Sequence, residues 1–285
     1  RQSYITGQAM EARSAEAIVR LCVRATEIDP AYAQAWALMA VGYHKLRVVS
    51  GMGSGDGMAA AERALALDPR LAEAHAIKAQ VLLQDGNPDA AATEVASALE
   101  LDPESYEANR SAGRLSYQLH RYGDAIRFYE KAIGLMDVDI NSAMMLIACY
   151  TAIGDEINAR RVAQLALQRT EPVLARDPYN SGVAAYSAYA LATLGDGERA
   201  KARMERTLLL DPENFNMRYN FACALSVHLK DKEAALAMLG SLFETISGSF
   251  LDYAKGDPDL DLLRDDPRYL ATVSAAEERL AAERD

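Results

Sequence analysis

The feature that most constrains the fold of this chain is a recurring Asp-Pro dipeptide, whose positions, together with Asp137, are 34 to 40 residues apart. Proline cannot continue a helix, and it moves the residue before it away from helical dihedral angles, so each dipeptide predicts a hinge between two structural units. The dipeptides stand at residues 29–30, 68–69, 102–103, 177–178 and 211–212. In the central unit, Asp137 occupies the corresponding place without a proline. The chain is therefore predicted to be an array of repeated units.

Residues 104–137 show the pattern of one unit most clearly. Two small residues, Ala112 and Gly113, stand where one helix must approach another closely, and the segment 120–124 interrupts the pattern. Apolar side chains then return at spacings of three and four, which is the period of an α-helix. They are Ala125, Phe128, Tyr129 and Ala132. Each unit is therefore predicted to be a helix, a turn and a second helix.

These units resemble the tetratricopeptide repeat family. That family's pattern has Trp, Leu, Gly and Tyr along a first helix, then Ala, an aromatic residue and Ala along a second, and Pro after it. The first-helix matches are Trp36, Met39, Ala40 and Tyr43, and the second-helix matches are Ala91, Val95, Ala98 and Pro103, then Ala125, Tyr129 and Ala132, and finally Ala200, Met204, Thr207 and Pro212. Gly86, Gly154 and Gly195 stand at the turn between helices, where glycine tolerates positive φ. The resemblance implies an all-α, right-handed superhelix of about seven helix pairs over residues 1–246.

The regular spacing fades after Leu242, and residues 247–285 are predicted to form a C-terminal capping segment. This tail also resembles the closing segment of tetratricopeptide arrays in bacterial signalling proteins that carry nucleotide-cyclase or winged-helix regulator domains. The residues behind that resemblance include 220–224, 257–260 and 266–269. Because the sequence begins with Arg1 and not Met, we expect a fragment of a longer polypeptide.

Two irregular stretches carry separate predictions. A glycine-rich insertion, residues 50–58, follows a helix and has no Gly-Lys-Ser/Thr, so we expect a flexible loop and not a phosphate cradle. Residues 167–177 lengthen one unit. We expect a longer second helix there, which Pro172 either kinks or restarts.

Charge and composition exclude several classes of function. The 41 acidic residues outnumber 30 basic ones, and the formal net charge is −11, which disfavours binding to nucleic acid through phosphate neutralisation. No apolar run is long enough for a membrane span. The three cysteines (Cys22, Cys149 and Cys223) are far apart in apolar helical contexts, so we expect reduced, buried thiols and a cytoplasmic protein.

No motif for catalysis or metal binding is evident. The four histidines are dispersed without metal-ligand spacing, and no nucleophile motif is found. Asp257, Asp259 and Asp261 alternate like the start of a calcium loop, but Leu262 stands where such a loop needs glycine. We therefore expect no catalytic residue, no metal site and no cofactor.

In a tetratricopeptide solenoid, the first helices of successive units line a concave groove, so the resemblance implies a groove that binds peptides. Arg110 and Arg114 are four residues apart and could grip a carboxylate of a partner. The alternative is that they balance nearby acids such as Glu107, and that the tyrosines pack between helices. The groove residues that we predict are Gln80, Arg110, Arg114, Tyr117, Gln118, Tyr186, Tyr189 and Tyr219.

The functional prediction is a non-catalytic scaffold that binds a protein or peptide partner, an acidic one being favoured by the two arginines. The resemblance of the tail suggests the regulatory region of a larger bacterial signalling protein. One alternative is an accessory domain of a cyclase-like or hydrolase enzyme whose catalytic part lies outside this chain. Another is self-association of the chain as a homodimer.

Overall fold

The computed structural model describes residues 12–50, 56–212, 214–246 and 248–282. In these ranges fifteen α-helices and one 3-10 helix follow one another, and no strand occurs. The all-α prediction is therefore confirmed. None of the described helices is both long and apolar enough to cross a membrane.

The chain divides into two compact units, Arg1–Val162 and Ala163–Asp285. The predicted boundary between a repeat array (1–246) and a capping segment (247–285) falls inside the second unit and stays a prediction. The first unit contains α1 (Ala12–Ile28), α2 (Ala33–Ser50), α3 (Gly57–Leu67), α4 (Ala72–Gln84), α5 (Pro88–Leu101), α6 (Tyr106–Gln118), α7 (Tyr122–Leu135) and α8 (Ile140–Ala152). The division falls within α9 (Glu156–Arg176), and the second unit continues with α10 (Ser181–Thr193), α11 (Gly197–Leu210), α12 (Phe215–Val227), α13 (Lys232–Phe243), α14 (Gly248–Gly256), the 3-10 helix (Pro258–Leu260) and α15 (Pro267–Ala282).

Neighbouring helices pack as the predicted helix–turn–helix pairs. In the first unit α2 packs on α3, α4 on α5 and α6 on α7, and in the second unit α10 packs on α11 and α12 on α13. First helices of successive pairs also contact one another: α2 contacts α4 and α4 contacts α6 in the first unit, and α10 contacts α12 in the second. First helices therefore form a row within the first unit. The predicted glycine-rich loop lies partly outside the described residues, since residues 51–55 are not among them.

The Asp-Pro junctions end the helices through the aspartate side chain as well as the proline. At four junctions one carboxylate oxygen accepts a hydrogen bond from the backbone N–H two residues on, which is a turn that aspartate forms with its own chain. The sequence-predicted hinges are therefore confirmed as helix ends. The four pairs are Asp29 with Ala31, Asp68 with Arg70, Asp102 with Glu104 and Asp177 with Tyr179, at 2.9–3.3 Å.

At four Asp-Pro junctions, the backbone carbonyl of the proline accepts a hydrogen bond from a side chain. The residue that makes this bond always lies six positions after the proline, but its type differs at each junction. Any donor with enough reach serves at this position, which explains why the tryptophan of the family pattern occurs only once. The pairs are Trp36 with Pro30, His75 with Pro69, Asn109 with Pro103 and Arg218 with Pro212, at 2.9–3.1 Å.

The turns inside the helix pairs need a left-handed residue. Gly86, Gly154 and Gly195 have φ of +74°, +73° and +82°, so their predicted role is confirmed. His120 and Lys230 hold the same kind of turn with φ of +55° and +53°. The turns at His120 and Lys230 therefore have the same left-handed backbone conformation as the turns that contain glycine.

The lengthened unit forms a single long helix. α9 has 21 residues, and Pro172 lies inside it without ending it. The prediction of a longer second helix is confirmed, and the alternative of a restart at Pro172 is wrong.

Small residues allow the paired helices to approach one another closely. A Cβ atom placed on Gly113 of α6 would lie 2.8 Å from two ring carbons of Tyr129 on α7, which is only 1% exposed. Alanines fill the other contact points of the first unit, because a larger side chain would push the backbones apart. The alanines with no exposed surface include Ala40, Ala61, Ala64, Ala74, Ala76, Ala79, Ala91, Ala98, Ala108, Ala125 and Ala132.

We expect Gly113→Ala to lower the free energy of unfolding by about 1–3 kcal/mol, because the added methyl group collides with the buried ring of Tyr129. The matched control is Gly134→Ala at an exposed position of α7, where an added Cβ meets nothing within 4 Å. It should raise stability by up to about 1 kcal/mol through helix propensity. Urea denaturation followed by circular dichroism measures both, and equal shifts in the two variants would contradict the packing argument.

Candidate functional site

A hydrogen-bonded polar cluster joins α4 to α6 in the first unit. Gln80 Oε1 accepts from Arg110 Nη2 at 2.9 Å, and Gln80 Nε2 donates to Ser111 Oγ at 2.8 Å. The Ser111 hydroxyl in turn donates to the backbone carbonyl of Ala76 at 2.9 Å. We call Gln80, Glu107, Arg110 and Ser111 the polar cluster. Its bonds hold two predicted site residues, Gln80 and Arg110, in one arrangement.

The guanidinium of Arg110 also pairs with an acid on its own helix. Its Nη2 lies 3.1 Å from Glu107 Oε2, and the two side chains are only 12% and 9% exposed. The alternative that Arg110 balances Glu107 is therefore what the structure shows for this residue. Arg110 is an internal member of the cluster, and its charge is already engaged.

Lys45 of α2 lies in the same charged environment. Its pKa is lowered to about 7, chiefly because burial disfavours the ammonium, and the positive charge of Arg110 lowers it further, while Glu107 and Asp139 act in the opposite direction. The row of first helices thus brings a partly neutral amine close to the polar cluster at physiological pH.

The remaining predicted residues of α6 continue towards its C-terminal end. Arg114 is partly buried and makes no hydrogen bond or ion pair with any residue of the described ranges. The ring of Tyr117 is half-buried and meets the ring of Tyr122 edge-on at 5.7 Å between centroids. Gln118 is exposed. Of the two predicted arginines, Arg114 is therefore the one whose charge is available to a partner.

An apolar pocket of about 400 Å3 opens in the first unit beside the polar cluster. Its walls come from α1, the turn after it, α2 and α4, and Glu107 of α6 closes one side. Sequence reasoning missed this pocket, because its residues come from four helices and share no spacing. The principal apolar lining residues are Leu21, Tyr32, Leu38, Val41 and Ile77.

Three predicted site residues, Tyr186, Tyr189 and Tyr219, belong to the second unit. All three are at least 92% buried, and the ring of Tyr189 meets His228 edge-on at 5.2 Å. The hydroxyl of Tyr219 donates to Asp257 Oδ2 at 2.6 Å. These tyrosines pack inside their unit, which agrees with the packing alternative.

The second unit also brings together three side chains that are distant in sequence. The sulfur of Cys223 and a carboxylate oxygen from each of Asp257 and Asp259 all lie within 4.8 Å of one another. The backbone N–H of Asp259 donates to Asp257 Oδ1 at 2.9 Å. The alternation of aspartates was visible in the sequence, but the approach of Cys223 depends on the tertiary fold.

The pKa values in this acidic turn are shifted by burial. The pKa of Asp259 is raised from 3.8 to about 7, because burial disfavours its carboxylate and the charges of Asp257 and Asp261 repel it. Burial also raises the pKa of the Cys223 thiol. All three cysteines are buried and free, as predicted from the sequence.

Comparison with known families agrees with part of the sequence analysis. The profile described as "Tetratricopeptide repeat" matches residues 52–100 and 78–137. A search of curated protein sequences found no match to this chain.

Several solved structures share the fold at low sequence identity. The APC/C hetero-tetramer Cut9-Hcn1 gives a TM-score of 0.56 at 16% identity, and the match covers 95% of this chain and 47% of that one. This chain therefore spans about half the length of that relative. The human IFIT1 dimer with PPP-AAAA gives 0.58 at 14%, covering 95% and 70%. PilF of Pseudomonas aeruginosa gives 0.50 at 18%, covering 81% and 95%.

We expect Arg110→Ala to lower the free energy of unfolding by about 1–3 kcal/mol, because it removes the hydrogen bonds that Arg110 donates to the buried carboxylate of Glu107 and to the amide oxygen of Gln80. Arg127→Ala is the matched control, since Arg127 forms an i,i+3 pair with Asp124 at an exposed position. Its effect should stay within about 0.5 kcal/mol. Similar losses in both variants, measured by urea denaturation, would show that Arg110 has no special structural role.

Asp259→Asn should change how stability depends on pH. In the native chain Asp259 keeps its proton up to about pH 7, whereas the unfolded chain releases it near 3.8, so the native state binds more protons between these values. Wild-type stability should therefore lose a contribution as the pH rises from about 4 to 7, and the variant should lack that loss. Chemical denaturation at several pH values measures it, with the exposed Asp265→Asn as control. Parallel curves for wild type and Asp259→Asn would refute this assignment.

Proposed function

We propose, from the premise that residues 52–137 are tetratricopeptide repeats, that the first unit is a non-catalytic interaction module that binds a peptide segment of a protein partner. Tetratricopeptide repeats generally mediate protein–protein interaction through the row of their first helices. The observation that carries the proposal is the apolar pocket beside the polar cluster. It offers buried apolar surface together with a few fixed polar groups, which is the usual composition of a binding site.

The rigidity of the polar cluster supports this function. The bonds of Gln80, Arg110 and Ser111 hold the facing sides of α4 and α6 before any ligand arrives. Binding to such a surface needs little ordering of the protein, so more of the interaction energy contributes to affinity.

Arg114 is the residue that we propose for contact with a carboxylate of the partner. Arg110 is occupied by Glu107 and Gln80, so the predicted pair of gripping arginines is reduced to one. A guanidinium forms strong bidentate hydrogen bonds with a carboxylate, and Gln118 lies one turn further along the exposed end of α6. An acidic group of the partner is therefore expected at this end of the site.

The wider setting that we propose is the regulatory region of a larger bacterial signalling protein in the cytoplasm. It is supported by the tail motifs at residues 257–260 and 266–269 and by the three reduced, buried thiols. The net charge of −11 favours a peptide over a ligand that carries several phosphates.

We expect peptides selected from a random twelve-residue library displayed on phage to bind the immobilised chain and to depend on Arg114. Arg114→Ala should weaken the fluorescently labelled selected peptides by about tenfold, since a charge-assisted contact of roughly 1.4 kcal/mol is lost. Arg127→Ala, which removes the same charge from an exposed position of α7, should leave their affinity unchanged.

Fluorescence anisotropy measures the affinities, and thermal unfolding confirms that both variants are folded. A library that yields no enriched peptide would overturn the proposed function. Enriched peptides that ignore Arg114 would overturn the role of this residue alone.

A further inference from the structure

Three side chains that could ligate a cation come together in the second unit, where the 3-10 helix packs on α12. They are Cys223 of α12, Asp257 in the turn after α14, and Asp259 of the 3-10 helix. Cys223 and Asp257 are only 3% and 8% exposed, and Asp259 is half-buried, so the cluster lies inside the fold with one side towards solvent. Buried charges in proteins are paired or coordinate metals, so this cluster needs a proton, a paired cation or a metal ion.

The basic side chains near this cluster are shared with other acids. Arg264 Nη2 donates to the backbone carbonyl of Asp257 at 3.0 Å, but the same guanidinium pairs with the carboxylate of Asp261 at 2.6 Å. The ammonium of Lys255 pairs with Glu277 at 2.6 Å. The two carboxylates of the cluster, together with the thiol in its thiolate form, carry three negative charges. A divalent cation would balance most of that charge.

We propose that Cys223, Asp257 and Asp259 form a binding site for one divalent transition-metal ion of the Zn²⁺ class, which fastens the C-terminal end of the second unit. The proposal goes beyond the interaction function of the first unit and does not depend on it. It also differs from the sequence-based expectation of no metal site. That expectation rested on spacing along the chain, whereas Cys223 approaches the aspartates only through the tertiary fold.

The ligand atoms favour Zn²⁺ over Ca²⁺ or Mg²⁺. Thiolate sulfur suits Zn²⁺, whereas Ca²⁺ and Mg²⁺ take oxygen ligands. Zn²⁺ sites are usually tetrahedral, with about 2.3 Å to sulfur and about 2.0–2.2 Å to a carboxylate oxygen, which puts the ligand atoms roughly 3.5 Å from one another. The three atoms of the cluster lie within 4.8 Å of one another, so they need to close up by about 1 Å at most.

Hydrogen bonds already hold the carboxylate of Asp257 in one orientation. Its Oδ2 accepts from the hydroxyl of Tyr219 at 2.6 Å, and its Oδ1 accepts from the backbone N–H of Asp259 at 2.9 Å. Ligating carboxylates in metal sites are oriented by such hydrogen bonds. A carboxylate oxygen that accepts one hydrogen bond still has a lone pair for an ion. Asp257 is therefore fixed in position and keeps the capacity to coordinate.

A buried hydroxyl beside the cluster is an independent indication of a ligand. Tyr269 of α15 is 3% exposed, and its hydroxyl has no hydrogen-bond partner within the described ranges. Burial chiefly raises the pKa of this hydroxyl, Arg264 lowers it, and the charges of Asp257 and Cys223 raise it, so the group lies near both ligands. Buried polar groups are almost always hydrogen-bonded. A water molecule on an ion with three protein ligands would give this hydroxyl a partner.

An ion at this cluster would connect segments that are distant in sequence. Cys223 belongs to α12, the two aspartates follow α14, and Tyr269 belongs to α15. Because these groups come together only in the folded chain, the free energy of metal binding adds to the free energy of folding. The site would therefore stabilise the packing of the last helices on the repeat array of the second unit.

The test titrates the whole chain, reduced and freed of metal with a chelator, with Co²⁺ as the probe. One Co²⁺ should bind per chain and give a sulfur-to-cobalt charge-transfer absorption band, and Zn²⁺ should displace it. Cys223→Ala should lose the band, whereas Cys149→Ala, which removes an equally buried thiol from α8, should keep it. A folded wild type without the band, or a band that depends on Cys149, would overturn the proposal.

Two further variants test the oxygen ligand and the hydroxyl. Asp259→Asn should weaken Co²⁺ at least about tenfold, and the exposed Asp265→Asn should not. Tyr269→Phe keeps the buried ring and should weaken Co²⁺ about tenfold, as the loss of a group around the ligands does. Circular dichroism confirms that each variant is folded. Unchanged affinity in Asp259→Asn would refute the site, and unchanged affinity in Tyr269→Phe would refute the part assigned to its hydroxyl.

Thermal unfolding separates a specific site from an adventitious ion only. Zn²⁺ should raise the Tm of the wild type with increasing concentration and leave the Tm of Cys223→Ala unchanged. Ca²⁺ and Mg²⁺ at the same concentrations should have no such effect. Equal stabilisation by Ca²⁺ would indicate an acidic turn that binds through oxygen alone and would refute the thiolate site. Co²⁺ binding without any rise in Tm would mark an adventitious ion and would also refute it.

Discussion

The close approach of paired helices through alanine and glycine is the constraint on which the rest of the structure depends. Where Gly113 of α6 lies against Tyr129 of α7, the tyrosine ring occupies the space that a side chain at position 113 would need. Fully buried alanines such as Ala76 and Ala108 repeat this condition along the first unit. Because the contact is close, the position of each helix is set by its neighbours, and the first helices are held in a row. The candidate site is built on that row.

The junctions between helix pairs show how one geometry tolerates different residues. The aspartate carboxylate ends the helix, the proline prevents its continuation, and a side chain six residues on satisfies the proline carbonyl. Tryptophan, histidine, asparagine and arginine all make this last bond, so the requirement is a donor of sufficient length and not a particular side chain. The same holds for the turns, where His120 adopts the left-handed conformation that glycine adopts elsewhere.

The two halves of the candidate site are different in kind. The members of the polar cluster bond to one another. These bonds stabilise the packing of α4 on α6 and make the site rigid, and they contribute less to contact with a partner. The apolar pocket can bury an apolar group of a partner, and Arg114 can pair with a negative charge.

The sequence alone determined the helical repeats, their ends and their glycine turns, because these depend on local dihedral preferences and on periodicity within a few residues. The resemblance to tetratricopeptide repeats also placed Gln80, Arg110 and Arg114 in one predicted groove. Only the tertiary structure decided that Arg110 is engaged by Glu107 and Gln80, that Tyr186, Tyr189 and Tyr219 are buried, and that an apolar pocket forms from four helices. The physical reason is that a charged or aromatic side chain has the same local preferences whether it faces solvent or a packed neighbour. Its partners come from distant segments, and their positions are set by helix packing and not by spacing along the chain.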